Sequence, residues 1–99
     1  MFVGVARVVL QIPGARSLKD RRRVVKSYKD KLFARFRVSV AEVGDVERYQ
    51  VAELGIAAVS REASHCEQLI DAAIGVAERL ESAWVVESQK RIEPYGDHA

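Results

Sequence analysis

The first segment of the chain alternates between two sets of side chains. Residues 2–12 are rich in valine and other aliphatic residues, and Pro13 and Gly14 follow as a turn signal. A strand places every second side chain on the same face. One face would carry Ala6, Val8, Leu10 and Ile12, and the other Val3, Val5, Arg7, Val9 and Gln11. We expect the first set to face the interior of the protein and the second to face outward.

The next apolar positions follow the period of a helix. Ser17 suits the N-cap position, and Asp20 suits the first turn, where a carboxylate interacts favourably with the helix dipole. At about 100° per residue, the apolar side chains that follow form one stripe. The stripe contains Leu18, Val25, Tyr28, Leu32 and Phe36, with Val24 and Phe33 at its margins. The pattern predicts an amphipathic helix over residues 18–36.

The second half of the chain repeats this order of elements. Residues 37–46 return to a period of two, and residues 49–60 predict a third strand that forms a hairpin with the second. Ser64 and Glu67 fit a capping box that opens a second helix. One face of that helix would carry Cys66, Leu69, Ile70, Ala73, Val76, Ala77 and Leu80. A last strand begins at Trp84 and ends around Pro94.

The order βαββαβ predicts an α+β protein with a ferredoxin-like fold. In this fold, two helices cover one face of a four-stranded antiparallel sheet. The length of 99 residues fits one domain. We assign this domain to residues 1–95 and a short C-terminal tail to residues 96–99.

Positive charge is concentrated in and around the first helix. The chain carries a net charge of +2, but residues 16–37 contain ten Lys or Arg and two Asp, a local charge of +8. The rest of the chain carries six basic and twelve acidic residues, a charge of −6. A molecule polarised in this way attracts a polyanion to one side. The alternative is a solvated helix whose charges only maintain solubility.

The composition limits where the protein can be located and which bonds and cofactors it can contain. The chain is 48% hydrophobic and 30% charged, and its apolar runs are too short for a membrane helix. The N-terminal residues do not resemble a signal peptide, and a single cysteine, Cys66, excludes an internal disulfide. We expect a cytoplasmic protein with no cofactor, no metal and no membrane association.

Two sequence blocks resemble the YlxP-like family, a bacterial family of unknown function. The first is Ser-Leu-Lys-Asp-Arg-Arg-Arg-Val-Val-Lys-Ser at residues 17–27. The second is Arg-Phe-Arg-Val-Ser-Val-Ala-Glu-Val at residues 35–43, followed by Leu-Gly-Ile-Ala-Ala-Val-Ser at residues 54–60. The resemblance implies a ferredoxin-like fold and, because members are typically encoded among translation and ribosome-maturation genes, a role near the ribosome. It supplies no catalytic residues. The chain departs from the family pattern at Arg37, where a small polar residue is usual, and at Tyr49, where tryptophan is common.

The basic helix is the main candidate for binding, and RNA is the expected partner. Lys19, Arg23, Lys26 and Arg37 are placed opposite the apolar stripe, with Lys31 and Arg35 at one margin. Arg21 and Arg22 are placed close to the stripe, where long side chains can still reach solvent. Amides at the helix start add a small field that attracts anions. The predicted phosphate contacts are Arg16, Lys19, Arg21, Arg22, Arg23 and Lys26, supported by Lys29, Arg35 and Arg37.

Known RNA-binding modules with related folds do not fit this chain. The first and third strands lack the stacking aromatics of an RNA-recognition motif, and no Gly-x-x-Gly loop of a KH domain is present. RNA would therefore be bound through helix charge and with weak sequence specificity. Tyr49 and Trp84 are the aromatic residues that could add stacking.

Enzyme activity is not expected. His65 and Cys66 are adjacent, so on a helix their side chains point about 100° apart, which does not suit a nucleophile and its base. Cys66 is expected in the core and His65 in solvent. Glu42 lies inside an apolar strand, and we expect it to form a salt bridge with Arg7 or with the basic helix. No phosphate-binding glycine loop is present.

Protein–protein interaction is the alternative function. The outward-facing valines of the first strand are more than a monomer usually displays together, and a second copy of the chain is the simplest cover for them. In this interpretation the chain forms a homodimer through the open sheet face, and the basic helix faces an acidic protein.

Overall fold

The computed structural model, which describes residues 1–45 and 47–96, has the ferredoxin-like arrangement that the sequence predicts. Four strands form an antiparallel sheet in the order β2-β3-β1-β4. Both helices pack on one face of this sheet. The elements are β1 (Phe2–Gln11), α1 (Leu18–Arg35), β2 (Ser39–Glu42), β3 (Val51–Ser60), α2 (Ala63–Glu78) and β4 (Trp84–Pro94).

The two faces of β1 separate as predicted. Ala6, Val8, Leu10 and Ile12 are buried beneath the helices. On the other face, which we call the open face, Val5 and Gln11 are exposed, and Val3 and Val9 are half-buried. Neither of the helices in residues 1–45 and 47–96 covers the open face.

The helix α1 begins as predicted and ends one residue earlier. The backbone N–H of Asp20 donates to the Ser17 hydroxyl at 3.1 Å, which confirms Ser17 as the N-cap. Phe36 is the C-cap in an extended conformation and packs against the core. The predicted helical position of Arg37 is therefore wrong, because Arg37 lies beyond the helix and leads into β2.

The start of α2 also differs from the prediction. The helix begins at Ala63, with Glu62 as an N-cap that makes no side-chain hydrogen bond. Ser64 lies inside the first turn, so the predicted capping box is wrong. The turn that leads into α2 is stabilised by Ser60 instead, because the Ser60 hydroxyl accepts the backbone N–H of Glu62 at 3.1 Å.

The strands β2 and β3 are shorter than predicted. The predicted second strand over residues 37–46 contracts to Ser39–Glu42, and Val46 lies outside the described residues. The third strand begins at Val51, because residues 47–50 form turns and bends. The tail assigned to residues 96–99 is described only at Gly96, so His98 also lies outside the described part of the chain.

The helix α2 packs very close to the sheet. The predicted apolar face of α2 is confirmed, with Cys66, Ile70 and Ala73 fully buried. A Cβ atom added at Gly4 of β1 would lie 2.8 Å from both the Cys66 sulfur and a carbon of Ile70. Gly4 is thus required for the close approach of α2 to β1.

A buried hydrogen bond joins the two helices. Tyr28 of α1 is fully buried, and its hydroxyl donates to the Ala73 carbonyl of α2 at 2.8 Å. Burial raises the pKa of Tyr28 well above its ordinary value. The phenol therefore remains a neutral donor and fixes the position of α1 relative to α2.

We expect Tyr28→Phe to lower the free energy of unfolding by about 1 kcal/mol, because the ring still packs but the hydrogen bond is lost. For a domain of this size, this corresponds to a fall in Tm of about 4–8 °C. Thermal unfolding followed by circular dichroism tests this. An unchanged Tm would show that the hydroxyl contributes nothing to the attachment of α1.

Within the described residues, no helix is long and apolar enough to cross a membrane.

Candidate nucleic-acid interface

Four basic side chains form one exposed surface on α1. Lys19, Arg22, Arg23 and Lys26 are all exposed and fall within about 100° of arc on the helix, on the side away from the core. We call these four residues the basic face. Lys29 lies at its margin and is half-buried. Arg22, which was expected to reach solvent from a position close to the apolar stripe, is exposed with the others.

The basic face is poorly neutralised by the protein itself. Lys26 forms an exposed ion pair with Asp30 at 2.6 Å. Among the described residues, Lys19, Arg22 and Arg23 form no ion pair within 4 Å. Three of the four cations are thus available to an external anion.

Arg21 does not belong to this surface, although the sequence placed it there. Its side chain is only 2% exposed, and its Nη2 lies 2.6 Å from Oε1 of Glu42. Its Nε donates to the carbonyl of Val51 at 3.1 Å. A buried guanidinium with these partners cannot contact a phosphate, so the prediction for Arg21 is wrong. The long side chain does not reach solvent, because β2 supplies a counterion beneath it.

The Arg21–Glu42 pair fastens the start of α1 to the sheet. Glu42 lies at the end of β2, and Val51 begins β3, so the single Arg21 side chain connects α1 to two strands. The predicted salt bridge from Glu42 to the basic helix is confirmed. A signal for this was present in the sequence, because Arg21 shares the buried stripe with Val25 and Tyr28 at spacings of four and seven residues.

The remaining predicted cations divide between the two ends of α1. Arg16 is exposed beside the basic face, just before the N-cap. Arg35 and Arg37 are exposed at the other end, and Arg35 lies about 20 Å along the helix axis from Arg22 at 1.5 Å per residue. Arg35 also stacks on the ring of Phe36, with 5.5 Å from its guanidinium carbon to the ring centroid. These two arginines belong to a separate surface.

The helix start offers less to an anion than the sequence suggests. The Asp20 carboxylate accepts the backbone N–H of Arg16 at 3.0 Å. The protein therefore already places a negative charge at this end of the helix dipole. An external anion is therefore attracted mainly by the side chains of the basic face.

An aromatic residue that the sequence placed at the edge of the core lies on the solvent side of α1. Phe33 is 54% exposed and falls between Arg22 and Lys26 in angle around the helix, two turns beyond Lys26. An exposed aromatic ring next to cations can stack on a nucleic-acid base. The predicted stacking residues Tyr49 and Trp84 are exposed too, but they lie in the loop before β3 and at the start of β4 rather than on α1.

The centre of the open face is neutralised by internal ion pairs. Arg7 forms an ion pair with Glu53 of β3 and another with Glu87 of β4, where Nη1 lies 2.9 Å from Oε2. Arg7 donates hydrogen bonds to Glu53 and to Glu87, and these bonds raise its pKa. The open face is therefore not a second basic surface.

Beside these ion pairs, the open face is apolar. Val5, Val43 and Val59 are between 45% and 61% exposed. Gly55 has no side chain and lies opposite Arg7, which leaves a hollow of about 320 Å³. The hollow is lined mainly by Val5, Ala41, Val43, Gly55 and Ala57.

The two adjacent candidate catalytic residues point in different directions. Cys66 is fully buried, and its thiol lies 3.5 Å from the Ala58 carbonyl, whereas His65 is exposed with Nδ1 3.1 Å from the Ser60 hydroxyl. The predictions of a core cysteine and a solvated histidine are confirmed. No group of three metal-binding side chains occurs within the described residues.

We expect the Cys66 thiol to react slowly in the folded protein. Burial raises its pKa, and only the thiolate is a good nucleophile. Iodoacetamide at pH 8 should modify the native protein on the timescale of global unfolding and the urea-unfolded protein within minutes. Equal rates in the two states would contradict the buried position of Cys66.

Comparisons with known proteins support the fold and identify the family. A solved structure described as the de novo designed protein Foldit4 matches with a TM-score of 0.55 at 14% sequence identity, covering 97% of this chain and 100% of the designed chain. At this identity the likeness shows the fold alone. A search of curated proteins finds no match. A family model described as "Protein of unknown function (DUF503)" matches residues 3–90. Because this model covers most of the chain, the protein belongs to the DUF503 family.

Proposed function

We propose that the protein binds RNA, without catalysis, through the basic face of α1. The observation that carries the proposal is the cluster of Lys19, Arg22, Arg23 and Lys26 on one exposed side of a helix. Of these four, only Lys26 forms an ion pair with another described residue. Phosphate groups are the common ligands of such surfaces, and the release of their counterions drives binding.

The rigidity of α1 supports the same proposal. Arg21 joins the first turns of the helix to β2 and β3, and Tyr28 joins its middle to α2. The cations therefore sit on a helix whose position is fixed before binding, which reduces the entropic cost of association. Arg16 and Lys29 extend the surface at its margins.

The mode of binding follows from the composition of the two faces. Within the paired residues of β1, β3 and β4, the ladder registers assign two cations and three acids to the open face: Arg7, Glu53, Glu87, Arg91 and Glu93. RNA is therefore attracted to the helical side. Contacts to phosphates carry little sequence information, so we expect weak discrimination among RNA sequences, with Phe33 adding sequence-tolerant stacking.

The proposed target is ribosomal RNA or a ribosomal particle in the cytoplasm. The resemblance of residues 17–27 and 35–43 to the YlxP-like family, typically encoded among translation and ribosome-maturation genes, supports this target. We propose on the same grounds that the chain is a YlxP-like protein.

A titration of purified protein with a fluorescently labelled ribosomal RNA fragment tests the proposal. If the four cations of the basic face contact phosphates of single-stranded RNA, log Kobs should fall against log salt concentration with a slope of about −3. An acidic protein of similar charge serves as the competitor, and it should not displace the RNA. Absence of binding at low salt, or equal binding to the acidic protein, would contradict RNA as the ligand.

Protein–protein interaction is the second candidate function, and the apolar part of the open face favours it. The exposed valines and the hollow at Gly55 form a surface on which a second copy of the chain could pack. Self-association that is lost in Val59→Glu would support this candidate, and light scattering measures it. A dimer unaffected by Val59→Glu would contradict packing through the open face.

A further inference from the structure

The strand β4 has a long edge that no other strand of the described chain pairs with. It runs over 11 residues at one end of the sheet, whereas the opposite edge strand, β2, has four. A bulge interrupts its pairing with β1 between Val9 and Leu10, so the regular part of β4 begins at Glu87. Unpaired backbone groups along such an edge can accept another strand.

The hydrogen-bond pattern shows which residues of β4 face this free edge. The backbone N–H of Tyr95 donates to the Met1 carbonyl at 2.9 Å. In an antiparallel ladder, hydrogen-bonded pairs alternate with non-hydrogen-bonded pairs. Gln89, six residues earlier in the same register, therefore directs its backbone groups toward β1. Ser88 and Lys90 direct theirs outward, away from the sheet.

The side chains of β4 are complementary to a second copy of the same strand. If two β4 strands pair antiparallel about a two-fold axis at Gln89, Ser88 of each chain lies opposite the partner's Lys90. Both of these residues have outward backbone groups, so they can form a hydrogen-bonded pair. Glu87 then lies directly opposite the partner's Arg91, and this pair occurs twice because of the symmetry.

Neighbouring registers lack this complementarity. An axis at Lys90 would place Lys90 opposite its own copy and Glu87 opposite Glu93. An axis at Glu87 or at Arg91 would place like charges directly opposite each other, which is unfavourable. An axis at Ser88 would bring no opposite charges together. An axis at Ile92 would also place Arg91 opposite the partner's Glu93, but it would pair Lys90 with Pro94, which has no backbone N–H to donate. The axis at Gln89 is therefore the register that combines opposite charges with a complete set of backbone donors.

We propose that two copies of the chain associate through antiparallel pairing of their β4 edges about an axis at Gln89, forming one continuous eight-stranded sheet. This inference goes beyond both candidate functions and does not depend on RNA binding. It also differs from packing through the open face, which would bury Arg7 together with the carboxylates of Glu53 and Glu87. Edge pairing leaves that face free.

Edge pairing has a consequence for the basic face. A two-fold axis perpendicular to the sheet places both helical layers on the same side of the dimer. The two α1 helices then face the same direction, separated by the two α2 helices. With neighbouring helices 8–10 Å apart, the two basic faces lie about 30 Å from each other.

A charge exchange on β4 tests the proposal. Sedimentation equilibrium should give the wild-type chain a mass of twice 11.1 kDa. Arg91→Glu and Glu87→Arg should each weaken the dimer at least tenfold, because each change places two like-charge pairs across the axis. The double variant, with both changes, should restore it. Glu93→Arg is the control, since Glu93 lies opposite no residue in the regular part of the partner's β4, which begins at Glu87, and it should leave the dimer intact.

A cysteine placed at the axis gives a second, independent readout. Gln89 and the partner's Gln89 would form a non-hydrogen-bonded pair with Cα atoms about 4.5 Å apart, a separation that a disulfide can span. Gln89→Cys should therefore oxidise to a covalent dimer, whereas the wild type should not, because its single thiol, Cys66, is buried. A monomeric wild type would overturn the proposal. So would a dimer that is unaffected by Arg91→Glu and broken instead by Val59→Glu.

Discussion

Reversal of two charges on the basic face, Arg22→Glu with Arg23→Glu, should abolish measurable RNA binding while leaving Tm nearly unchanged. Both side chains are exposed and, among the described residues, form no ion pair, so their loss removes no packing. The change replaces two phosphate contacts by two repulsions, and we expect affinity to fall by about 100-fold or more. Fluorescence titration at several salt concentrations measures the loss, and thermal unfolding checks the fold.

A control variant with the same change in net charge tests whether the position of the two arginines on α1 matters for RNA binding. Arg61→Glu with Arg79→Glu changes the net charge equally, but Arg61 follows β3 and Arg79 is the C-cap of α2. Both are exposed, and neither lies on α1. This control should bind RNA within about threefold of the wild type, since only weak long-range attraction is altered. Equal losses in the two double variants would show that α1 is not the binding surface.

The second large effect concerns the buried ion pair beneath α1. We expect Glu42→Ala to lower the free energy of unfolding by about 3–5 kcal/mol, because Arg21 would remain buried without its counterion. Replacement of both residues, Arg21→Met with Glu42→Leu, should restore most of the stability, because an apolar pair of similar size has no charge to desolvate. Urea unfolding of the three proteins measures these differences.

The exposed pair on the same helix is the comparison for this prediction. Lys26 and Asp30 lie as close together as Arg21 and Glu42, at 2.6 Å in each case, but both are solvated. Asp30→Ala should cost about 0.5 kcal/mol or less. A loss of less than 1 kcal/mol in Glu42→Ala would contradict the account of Arg21 as a buried attachment.

The order and faces of the elements could be predicted because they depend on local patterns. The alternation of β1 assigns Val8 and Leu10 to the core, and Ser17 marks the start of α1. Both signals come from residues close in sequence. The start of α2 was predicted wrongly although its signal is also local, because the Ser64–Glu67 pattern competes with Ser60, whose hydroxyl accepts the backbone N–H of Glu62 two residues later.

The candidate interface was predicted in outline, and its errors have a common physical cause. Whether a cation at the margin of a helix is buried depends on the residues beneath it. Glu42 lies next to Arg21 only because β2 pairs with β3, and this contact is not visible in the local sequence of α1. Arg37 was placed on α1 because periodicity continues past the helix end, which the packing of Phe36 sets. Phe33 was placed at the edge of the core because an apolar residue alone does not reveal an uncovered position.

Sedimentation of cell lysate on a sucrose gradient tests the central claim most directly. The wild type, the Arg22/Arg23 reversal and the Arg61/Arg79 control are each followed by blotting, with and without ribonuclease. We predict that the wild type and the control migrate with a ribosomal subunit and move to the top after ribonuclease, and that the Arg22/Arg23 reversal stays at the top in both gradients. Migration of the wild type at the top of both gradients, or unchanged migration of the Arg22/Arg23 reversal with the subunit, would contradict RNA binding through the basic face.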